Sequence, residues 1–180
     1  WIPEAENQYF FDIGAHSGRY TLEASRLGYS VVSFEPSTET FNNLQKNIEL
    51  NNISNRIDAY NVGVSHSEMV EPFKKQYSHT GKNKISGEGS SQIRCLRLDR
   101  FRDLAHQTGF VKIDVEGHEK AVIRGGTKFF EKTSIGSFVA LETVHQDVSN
   151  LLEKKGYKVV DKTSTDTLLK KTADKGSLTT

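Results

Sequence analysis

Short apolar runs alternate with segments of helical spacing along most of the chain, and this alternation limits what the chain can fold into. The first run, residues 9–15, reads Tyr-Phe-Phe-Asp-Ile-Gly-Ala and predicts a strand that is buried on both faces. A helix over 17–27 follows and ends at Gly28. Because parallel strands need a connection of roughly a dozen residues or more, the alternation predicts βαβ units and a mostly parallel sheet.

The pattern continues along the 180 residues and predicts a single domain. Further strands are predicted at 30–34, about 56–65, 110–115 and 138–142, with a terminal hairpin over 157–169. Further helices are predicted from Ser37 or Thr38 to about Asn51, over 119–130 and over 146–155. Less regular segments are an antiparallel excursion at 65–76, a mobile loop rich in Gly, Ser, Lys and Asn at 77–94, and a frayed polar tail at 172–180.

Composition and charge exclude several classes of protein. The 24 basic and 23 acidic residues leave a net charge of +1, which provides no general attraction to nucleic acid or to an anionic membrane. The single cysteine, Cys95, excludes an internal disulfide and a cysteine-rich zinc site, and it is predicted to lie in the core. No apolar stretch approaches the length of a membrane span and no signal peptide is recognisable, so a cytoplasmic domain is expected. The chain begins at Trp1 rather than at Met, as a piece of a longer protein would.

The first predicted strand leads into a glycine-rich turn over 12–18. Gly14 permits a tight turn and a close approach of a ligand to the backbone, and Gly18 lets the next helix pack near the strand. His16 stands where the dinucleotide-binding motif G-x-G-x-x-G has its second glycine, which counts against a bound pyrophosphate. The alternative is that these glycines form a strand-to-helix turn without any ligand.

Glu35 ends the second predicted strand, 17 residues after Gly18. An acidic side chain at this place can accept hydrogen bonds from both hydroxyls of a ribose. The alternative is an exposed glutamate that precedes a turn at Pro36. Because the glycine-rich turn and Glu35 both follow neighbouring strands, together they predict a cofactor that contains adenosine.

The densest group of polar residues, 112–119, lies at the end of the strand predicted at 110–115. Strand alternation puts Lys112 and Asp114 on one face, and Glu116 continues toward the strand end. Because a buried charge without a partner is costly, charges in an apolar strand indicate either an ion pair or a functional cleft. The alternative is a structural ion pair of Lys112, with the remaining residues capping a helix.

Other candidate groups surround this cluster. Glu142 and His145 follow the next predicted strand and are expected beside it. The side chains of Asp114, Glu116, His118 and Glu142 suit Mg²⁺ or Mn²⁺ better than zinc, but their spacing specifies no site, and no metal is predicted. His16 is either a base or a hydrogen-bond donor in its turn. The other histidines are expected at the surface: His66, His79 and His106.

Several of these motifs together resemble one known family. They are Asp-Ile-Gly-Ala-His-Ser-Gly at 12–18, Phe-Glu-Pro at 34–36, Leu-Asp at 98–99, Val-Lys-Ile-Asp-Val-Glu-Gly-His-Glu at 111–119, Gly-Gly at 125–126 and Leu-Glu at 141–142. From about Tyr9 to Tyr157 the chain resembles the FkbM family of S-adenosylmethionine-dependent methyltransferases, and the Lys-Ile-Asp-Val-Glu-Gly block is the most specific element. His16 replaces the more usual asparagine of the first motif, and Ser17 follows it.

The resemblance implies a Rossmann-like class I methyltransferase fold of the α/β class. Such a fold has helices on both faces of a mostly parallel seven-stranded sheet and a terminal antiparallel hairpin. The resemblance also implies S-adenosyl-L-methionine as the cofactor and O-methylation of a hydroxyl acceptor, of the sugar, glycan or small natural-product type. Because methyl transfer is an in-line displacement, alignment of the acceptor with the cofactor supplies much of the catalysis.

The resemblance further implies which residues bind the cofactor. The methionine part is assigned to the glycine-rich turn, with Asp12, Gly14, Ala15, His16, Ser17 and Gly18. Glu35, followed by Pro36, is assigned to the ribose, and Asn61 and Val62 are assigned to the adenine.

The acceptor is expected to border Asp114 and Glu116. Asp114 is the first candidate for the catalytic base, and the alternatives or partners are Lys112, Glu116, His118 and Glu142. The loop over 77–94 is predicted to act as a lid, in which Lys82 and Lys84 attract an anionic acceptor.

Two other functions remain open from the sequence. One is an RNA methyltransferase domain, acting on a cap or a ribose, but the near-neutral charge and the absence of a basic, aromatic stripe disfavour nucleic acid as a partner. The other is a domain without catalytic activity that serves as a scaffold in a larger protein. No membrane partner is expected, and the oligomeric state is left open.

Overall fold

The first predicted strand lies inside a seven-stranded sheet in the computed structural model, which describes residues 1–74, 84–85, 91–142 and 145–174. Its alternating side chains are apolar toward both faces. Phe10 packs into one core cluster and Phe11 into another, and both are fully buried. A strand that is apolar on both sides is stable only between two covered faces, as the sequence predicted.

The strand bounds follow the apolar runs closely. In chain order they are β1 (Tyr9–Ile13), β2 (Ser30–Phe34), β3 (Ile57–Tyr60), β4 (Gly63–Val64), β5 (Met69–Lys74), β6 (Lys84–Ile85), β7 (Ser91–Leu96), β8 (Thr108–Ile113), β9 (Phe138–Leu141), β10 (Tyr157–Lys162) and β11 (Thr167–Lys171). The large sheet has the order β10-β11-β9-β8-β1-β2-β3. Strands β8, β1 and β2 pair in parallel with their neighbours, whereas β11 is antiparallel to both β9 and β10. The predicted seven-stranded sheet with a terminal antiparallel hairpin is confirmed.

Helices cover both faces of this sheet. They are α1 (Arg19–Arg26), α2 (Thr38–Leu50), α3 (Glu119–Gly125), α4 (Thr127–Lys132) and α5 (Gln146–Glu153), with short 3₁₀ turns at Ser54–Arg56, Leu98–Phe101 and Ala105–Gln107. Ala24 of α1 packs with Phe10 on one face, while α3, α4 and α5 bury Val122, Phe129 and Leu152 on the other. The fold is therefore the predicted doubly wound α/β architecture.

The single helix predicted over 119–130 is wrong in its continuity, because the chain divides into α3 and α4 at Gly126. A β-carbon on Gly125 would overlap the backbone carbonyl of Ser65, and one on Gly126 would crowd Phe130 and Leu98. Gly125 thus lets α3 approach the chain just after β4 at backbone contact, and Gly126 leaves room for Phe130 and Leu98. The break coincides with these tertiary contacts, which local helical spacing does not report.

A second, four-stranded sheet has the order β4-β7-β5-β6. The strand predicted at about 56–65 divides, so that its first half joins the large sheet as β3 and its second half joins this one as β4. Cys95 is buried here beside Phe73 and Ile93, as predicted for a core residue. The predicted antiparallel excursion forms β5.

The segment predicted as a loop, 77–94, lies mostly outside the described residues. Its described parts are strands, namely β6 and the first residues of β7. The alternation in β7, where Ile93 and Cys95 are buried while Gln92 and Arg94 are exposed, is a strand signal that the high polar content obscured. Residues 172–174 have no regular structure, and the remaining tail lies outside the described residues. In the described part of the chain, no helix combines the length and apolarity that crossing a membrane requires.

Close backbone contact fixes the relative position of two loops at the carboxyl edge of the large sheet. Gly14 follows β1 with a φ of 81°, and a β-carbon there would overlap the carbonyl oxygen of Asp114, which follows β8. The amide of Asp114 in turn donates to the carbonyl of Ile13 at 3.0 Å. Two constraints therefore require glycine at position 14: the left-handed backbone and the close contact with the carbonyl of Asp114.

We expect Gly14→Ala to lower the free energy of unfolding by about 3 kcal/mol or more, since it adds overlap with a backbone atom to the cost of a positive φ. Gly136→Ala is the matched control, because Gly136 has a φ of 98° but open space around its missing β-carbon. It should lose only about 1 kcal/mol. Urea unfolding followed by circular dichroism measures both, and equal losses would show that the contact with Asp114 contributes nothing.

Candidate functional site

Two cavities meet at the carboxyl ends of β1, β8 and β9, where ligands bind in sheets of this type. The glycine-loop cavity has a volume of about 230 Å³ and is lined by the turn after β1, the end of β2 and part of the second sheet. The hairpin cavity has a volume of about 440 Å³ and extends from the end of β8 to the β10–β11 turn. Tyr20, Lys112 and Asp114 line both cavities and therefore form the wall between them.

The ammonium group of Lys112 lies at the centre of this wall. Its Nζ is 3.4 Å from Oδ1 of Asp12 and 3.3 Å from Oδ2 of Asp114, and it donates to the carbonyl of Gly14 at 2.9 Å. Asp12 and Lys112 are paired residues on β1 and β8, so the strand register itself brings them together. Burial lowers the pKa of Lys112, but the charges of Asp12 and Asp114 outweigh burial and leave that pKa raised. The lysine is therefore a fixed cation.

Asp12 supports the wall from inside the protein. Its side chain is fully buried, it accepts a hydrogen bond from the Thr21 hydroxyl at 2.7 Å, and that hydroxyl also contacts Ser33 at 2.7 Å. Asp12 lines neither cavity. The resemblance assigned this residue to the cofactor, and the structure places its carboxylate beside Lys112.

Asp114 and Glu142 form a carboxyl pair that lines the hairpin cavity. A hydrogen bond with Asp114, followed by partial burial and the charges of Asp114 and Glu116, raises the pKa of Glu142 to about 8. At neutral pH the carboxyl of Glu142 is therefore mostly protonated and can donate its proton in the hydrogen bond to Asp114. The predicted proximity of Glu142 to Asp114 follows from strand pairing, because the amide of Glu142 donates to the carbonyl of Ile113 on β8.

Glu35 holds the glycine-rich turn in place. Its Oε2 accepts a hydrogen bond from the amide of His16 at 3.0 Å, and its Oε1 accepts one from the amide of Ser37 at 2.9 Å. Burial raises the pKa of Glu35 to about 7, although both amides favour the charged form. His16 has a φ of 52°, a left-handed conformation that this hydrogen bond stabilises. The carboxylate and the turn are thus one structural unit.

The remaining predicted cofactor residues lie around this unit. Gly14, Ala15, His16, Glu35, Pro36 and Val62 line the glycine-loop cavity, as do Glu116 and Lys84. The side-chain Nδ2 of Asn61 donates to the backbone carbonyls of Glu35 and Pro36, so Asn61 supports the chain after β2. Ser17 and Gly18 join the turn to α1, where the carbonyl of Ser17 accepts a hydrogen bond from Asn47 at 2.8 Å.

The predicted histidines have different surroundings. His118 lies outside both cavity walls, with its Nε2 2.9 Å from the hydroxyl of Ser65, which in turn donates to Glu71 at 2.7 Å. Burial lowers the pKa of His118. His66 and His106 are exposed as predicted, and His79 and Lys82 lie outside the described residues. His145 is the residue before α5.

Sequence reasoning missed several contributors to the cavities. Tyr20 of α1 places its ring 5.0 Å from the Lys112 ammonium and is 40% exposed. Thr163 and Asp166 reach the hairpin cavity from the β10–β11 turn. An exposed aromatic residue on the first helical turn was the only available signal for Tyr20, and only the strand order brings the hairpin close. No three potential metal ligands among His, Cys, Asp and Glu converge anywhere in the described ranges.

Comparison with known proteins gives a consistent result. The family model described as the methyltransferase FkbM domain matches residues 12–159. A curated relative, the hexuronic acid methyltransferase AglP of Haloferax volcanii, is 28% identical over 157 residues, covering 83% of this chain and 63% of that protein. Methyltransferase 1 of Beauveria bassiana is 25% identical over 150 residues, covering 68% of this chain and 60% of that protein. The chain therefore spans less than two thirds of the length of these relatives.

Solved structures share the fold at low sequence identity. The precorrin-6y C5,15-methyltransferase of Geobacter metallireducens has a TM-score of 0.57 at 16% identity, covering 93% of this chain and 81% of that one. Fibrillarin of Aeropyrum pernix, in complex with S-adenosyl-L-methionine, has a TM-score of 0.57 at 12% identity, covering 94% of this chain and 67% of that one. These similarities confirm the Rossmann-like methyltransferase architecture.

We expect Lys112→Met to lower the free energy of unfolding by about 3 kcal/mol or more, because it leaves the buried carboxylate of Asp12 without its counter-charge. Adding Asp12→Asn to Lys112→Met should restore part of this loss. Lys120→Met is the control, since it breaks an exposed ion pair with Asp147 and should cost about 1 kcal/mol or less. Urea unfolding of the four proteins is the measurement, and a Lys112→Met variant as stable as Lys120→Met would contradict the role of the central ammonium.

Proposed function

Because the chain belongs to the FkbM methyltransferase family, we propose that it transfers a methyl group from S-adenosyl-L-methionine to a hydroxyl oxygen of a sugar-type acceptor. The observation that carries this proposal is the Asp114–Glu142 carboxyl pair, which stands beside a fixed lysine at the wall between two adjoining cavities. The name of the Haloferax volcanii relative, a hexuronic acid methyltransferase, supports an acceptor of the sugar type.

The glycine-loop cavity fits S-adenosyl-L-methionine in its chemistry. Phe34, Val62 and Ile85 supply apolar surface for a purine ring. The carboxylate of Glu35 has lone pairs beyond the two that accept backbone amides, and these suit ribose hydroxyls. Glu116 adds a second acidic group, which suits the positively charged methionine end. The turn residues Gly14, Ala15 and His16 line the glycine-loop cavity beside these groups.

When bound, the cofactor supplies an electrophilic methyl carbon: the acceptor oxygen forms the new C–O bond, and the C–S bond breaks with its electron pair remaining on sulfur as a neutral thioether. The protein has to align the acceptor oxygen and remove its proton. Asp114 is suited to both tasks, because it lines both cavities and its carboxylate is anchored by Lys112 at 3.3 Å.

The protonation state of Glu142 decides whether Asp114 is available to the acceptor. While Glu142 keeps its proton, it donates a hydrogen bond to Asp114 and occupies that carboxylate. Once Glu142 loses this proton, Asp114 is free to take the hydroxyl proton of the acceptor, and the ion pair with Lys112 holds it in position. The three residues thus combine anchoring and proton transfer.

We expect Glu35→Ala to weaken binding of S-adenosyl-L-methionine by about tenfold or more in calorimetry, since it removes charged hydrogen-bond acceptors. Glu39→Ala is the matched control, because Glu39 is an exposed glutamate in the first turn of α2, the helix that follows Glu35 in sequence.

A cofactor analogue without the ribose 2′-hydroxyl separates direct contact from support of the turn. It should bind the wild-type protein more weakly than the cofactor does, yet bind the Glu35→Ala variant as the cofactor does. A Glu35→Ala variant that still distinguishes the two ligands would remove the ribose assignment.

We expect the rate of methyl transfer to rise with pH through about 8, as Glu142 loses its proton. Glu142→Gln removes this titrating group, so the midpoint near pH 8 should be lost. Asp114→Asn should lower kcat on the order of 100-fold and abolish the pH dependence, with unchanged cofactor affinity. Transfer from labelled cofactor measured between pH 6 and 9.5 gives these values, and a midpoint unaffected by Glu142→Gln would exclude Glu142 as the titrating group.

A further inference from the structure

We propose that the hairpin cavity is the acceptor site and that it selects an uncharged, polyhydroxylated ring, a neutral sugar rather than a uronic acid. This inference rests on the proposed function, because the acceptor must reach the base from the side opposite the cofactor. Asp114 and Tyr20 form the wall between the hairpin cavity and the glycine-loop cavity. A ligand in the hairpin cavity therefore contacts the base directly.

The floor and sides of the hairpin cavity suit a sugar ring. Phe10, Phe110 and Ala140 form an apolar floor on the face of β1, β8 and β9. Two aromatic side chains stand at the sides, Tyr20 with 40% and Trp1 with 51% of their surface exposed. Rigid aromatic surface of this kind packs against the apolar C–H face of a sugar at low entropic cost. The indole of Trp1 is held in place by a hydrogen bond to Asp161 at 2.8 Å.

The polar groups of the cavity are mostly hydrogen-bond acceptors. Asp114, Glu142 and Asp166 contribute carboxyl groups, and Thr163 contributes a hydroxyl. Oδ2 of Asp166 accepts from the hydroxyls of Thr163 at 3.1 Å and Thr165 at 2.6 Å, which fixes the carboxylate in the hairpin turn. An ionised carboxylate only accepts hydrogen bonds, whereas the protonated carboxyl of Glu142 can also donate one; sugar hydroxyls, which donate and accept, suit both. An acceptor with several hydroxyl groups can satisfy all of them.

The charge of the cavity opposes an anionic ligand. Lys112 is the one basic side chain on its wall in the described part of the chain. The ammonium of that lysine is already shared by Asp12 and Asp114 and is bound to the carbonyl of Gly14. A uronate carboxylate would therefore add a negative charge to a carboxylate-lined cavity without gaining a new counter-ion. Lys84, which was predicted to attract an anionic acceptor, lines the glycine-loop cavity instead.

The test compares matched pairs of acceptors that differ only at carbon 6. Methyl glycosides of glucose, galactose and mannose are assayed beside the corresponding methyl glycosides of their uronic acids, with labelled S-adenosyl-L-methionine and measurement of kcat/KM. We expect every acceptor that is methylated to be used at least about tenfold better in its neutral form, because juxtaposed like charges oppose binding. Equal or better use of the uronic acids overturns the proposal.

A variant that removes one negative charge from the hairpin cavity tests whether this cavity causes the preference for neutral acceptors. Asp166→Asn keeps the side-chain shape and the oxygen that accepts from Thr163, so the turn should be retained. In this variant the ratio of kcat/KM for the neutral acceptor to kcat/KM for the uronic acid should fall by about fivefold or more. The change should arise from KM, and the cofactor affinity should be unchanged. Asp147→Asn, on the exposed surface of α5, is the control and should leave the preference unchanged. An unchanged preference in Asp166→Asn overturns the assignment of the hairpin cavity.

Measuring cofactor binding distinguishes failure of the acceptor assignment from failure of the proposed function. If the protein binds S-adenosyl-L-methionine but methylates neither member of any pair, the sugar acceptor is wrong while the cofactor site stands. If the protein binds no S-adenosyl-L-methionine, the proposed function itself fails.

Discussion

The buried ammonium group of Lys112 joins two strands, one backbone turn and one aromatic ring at a single point. It lies between the carboxylates of Asp12 and Asp114, donates to the carbonyl of Gly14, and is covered by the ring of Tyr20. A lone lysine could not remain charged at this depth, because burial favours its neutral form. Two carboxylates reverse that preference, so the cation and its partners are stable only together. This arrangement forms the wall between the glycine-loop cavity and the hairpin cavity.

The turn after β1 is shaped by backbone groups more than by the side chains that make its sequence recognisable. Gly14 is small because the carbonyl of Asp114 occupies the space of a side chain, and His16 keeps a left-handed conformation while its amide donates to Glu35. These constraints explain why His16 can replace a different residue without disturbing the turn. What the turn requires at this position is an amide that points toward Glu35 and a residue that tolerates the left-handed backbone, as His and Asn both do better than most residues.

The sequence predicted the elements from β1 to α2 closely, because their signals are local. Apolar runs define β1 and β2, and Ser37, one of the two expected caps, caps α2. The break between α3 and α4 was missed, and it coincides with the contact of Gly125 with Ser65, which is distant in sequence. For the same reason the sequence identified the carboxylates of the site but not the Tyr20 ring or the hairpin turn. Side chains with costly charges stand out in a sequence, whereas walls made by strand order do not.

At Glu35 and Glu142, the ionisation that the proposed chemistry needs lowers the stability of the fold. The pKa of each carboxyl is raised in the folded protein, from 4.5 to about 7 for Glu35 and from 4.5 to about 8 for Glu142. A group of this kind stabilises the fold fully below pH 4.5, and the contribution is lost as the pH rises through its folded pKa. The proposed chemistry needs both groups ionised, so the site works in the pH range where these carboxyls favour folding least. For Glu142, which is largely exposed, solvent keeps this loss small. For Glu35 two backbone amides offset part of the loss, and the same two hydrogen bonds hold the glycine-rich turn in place.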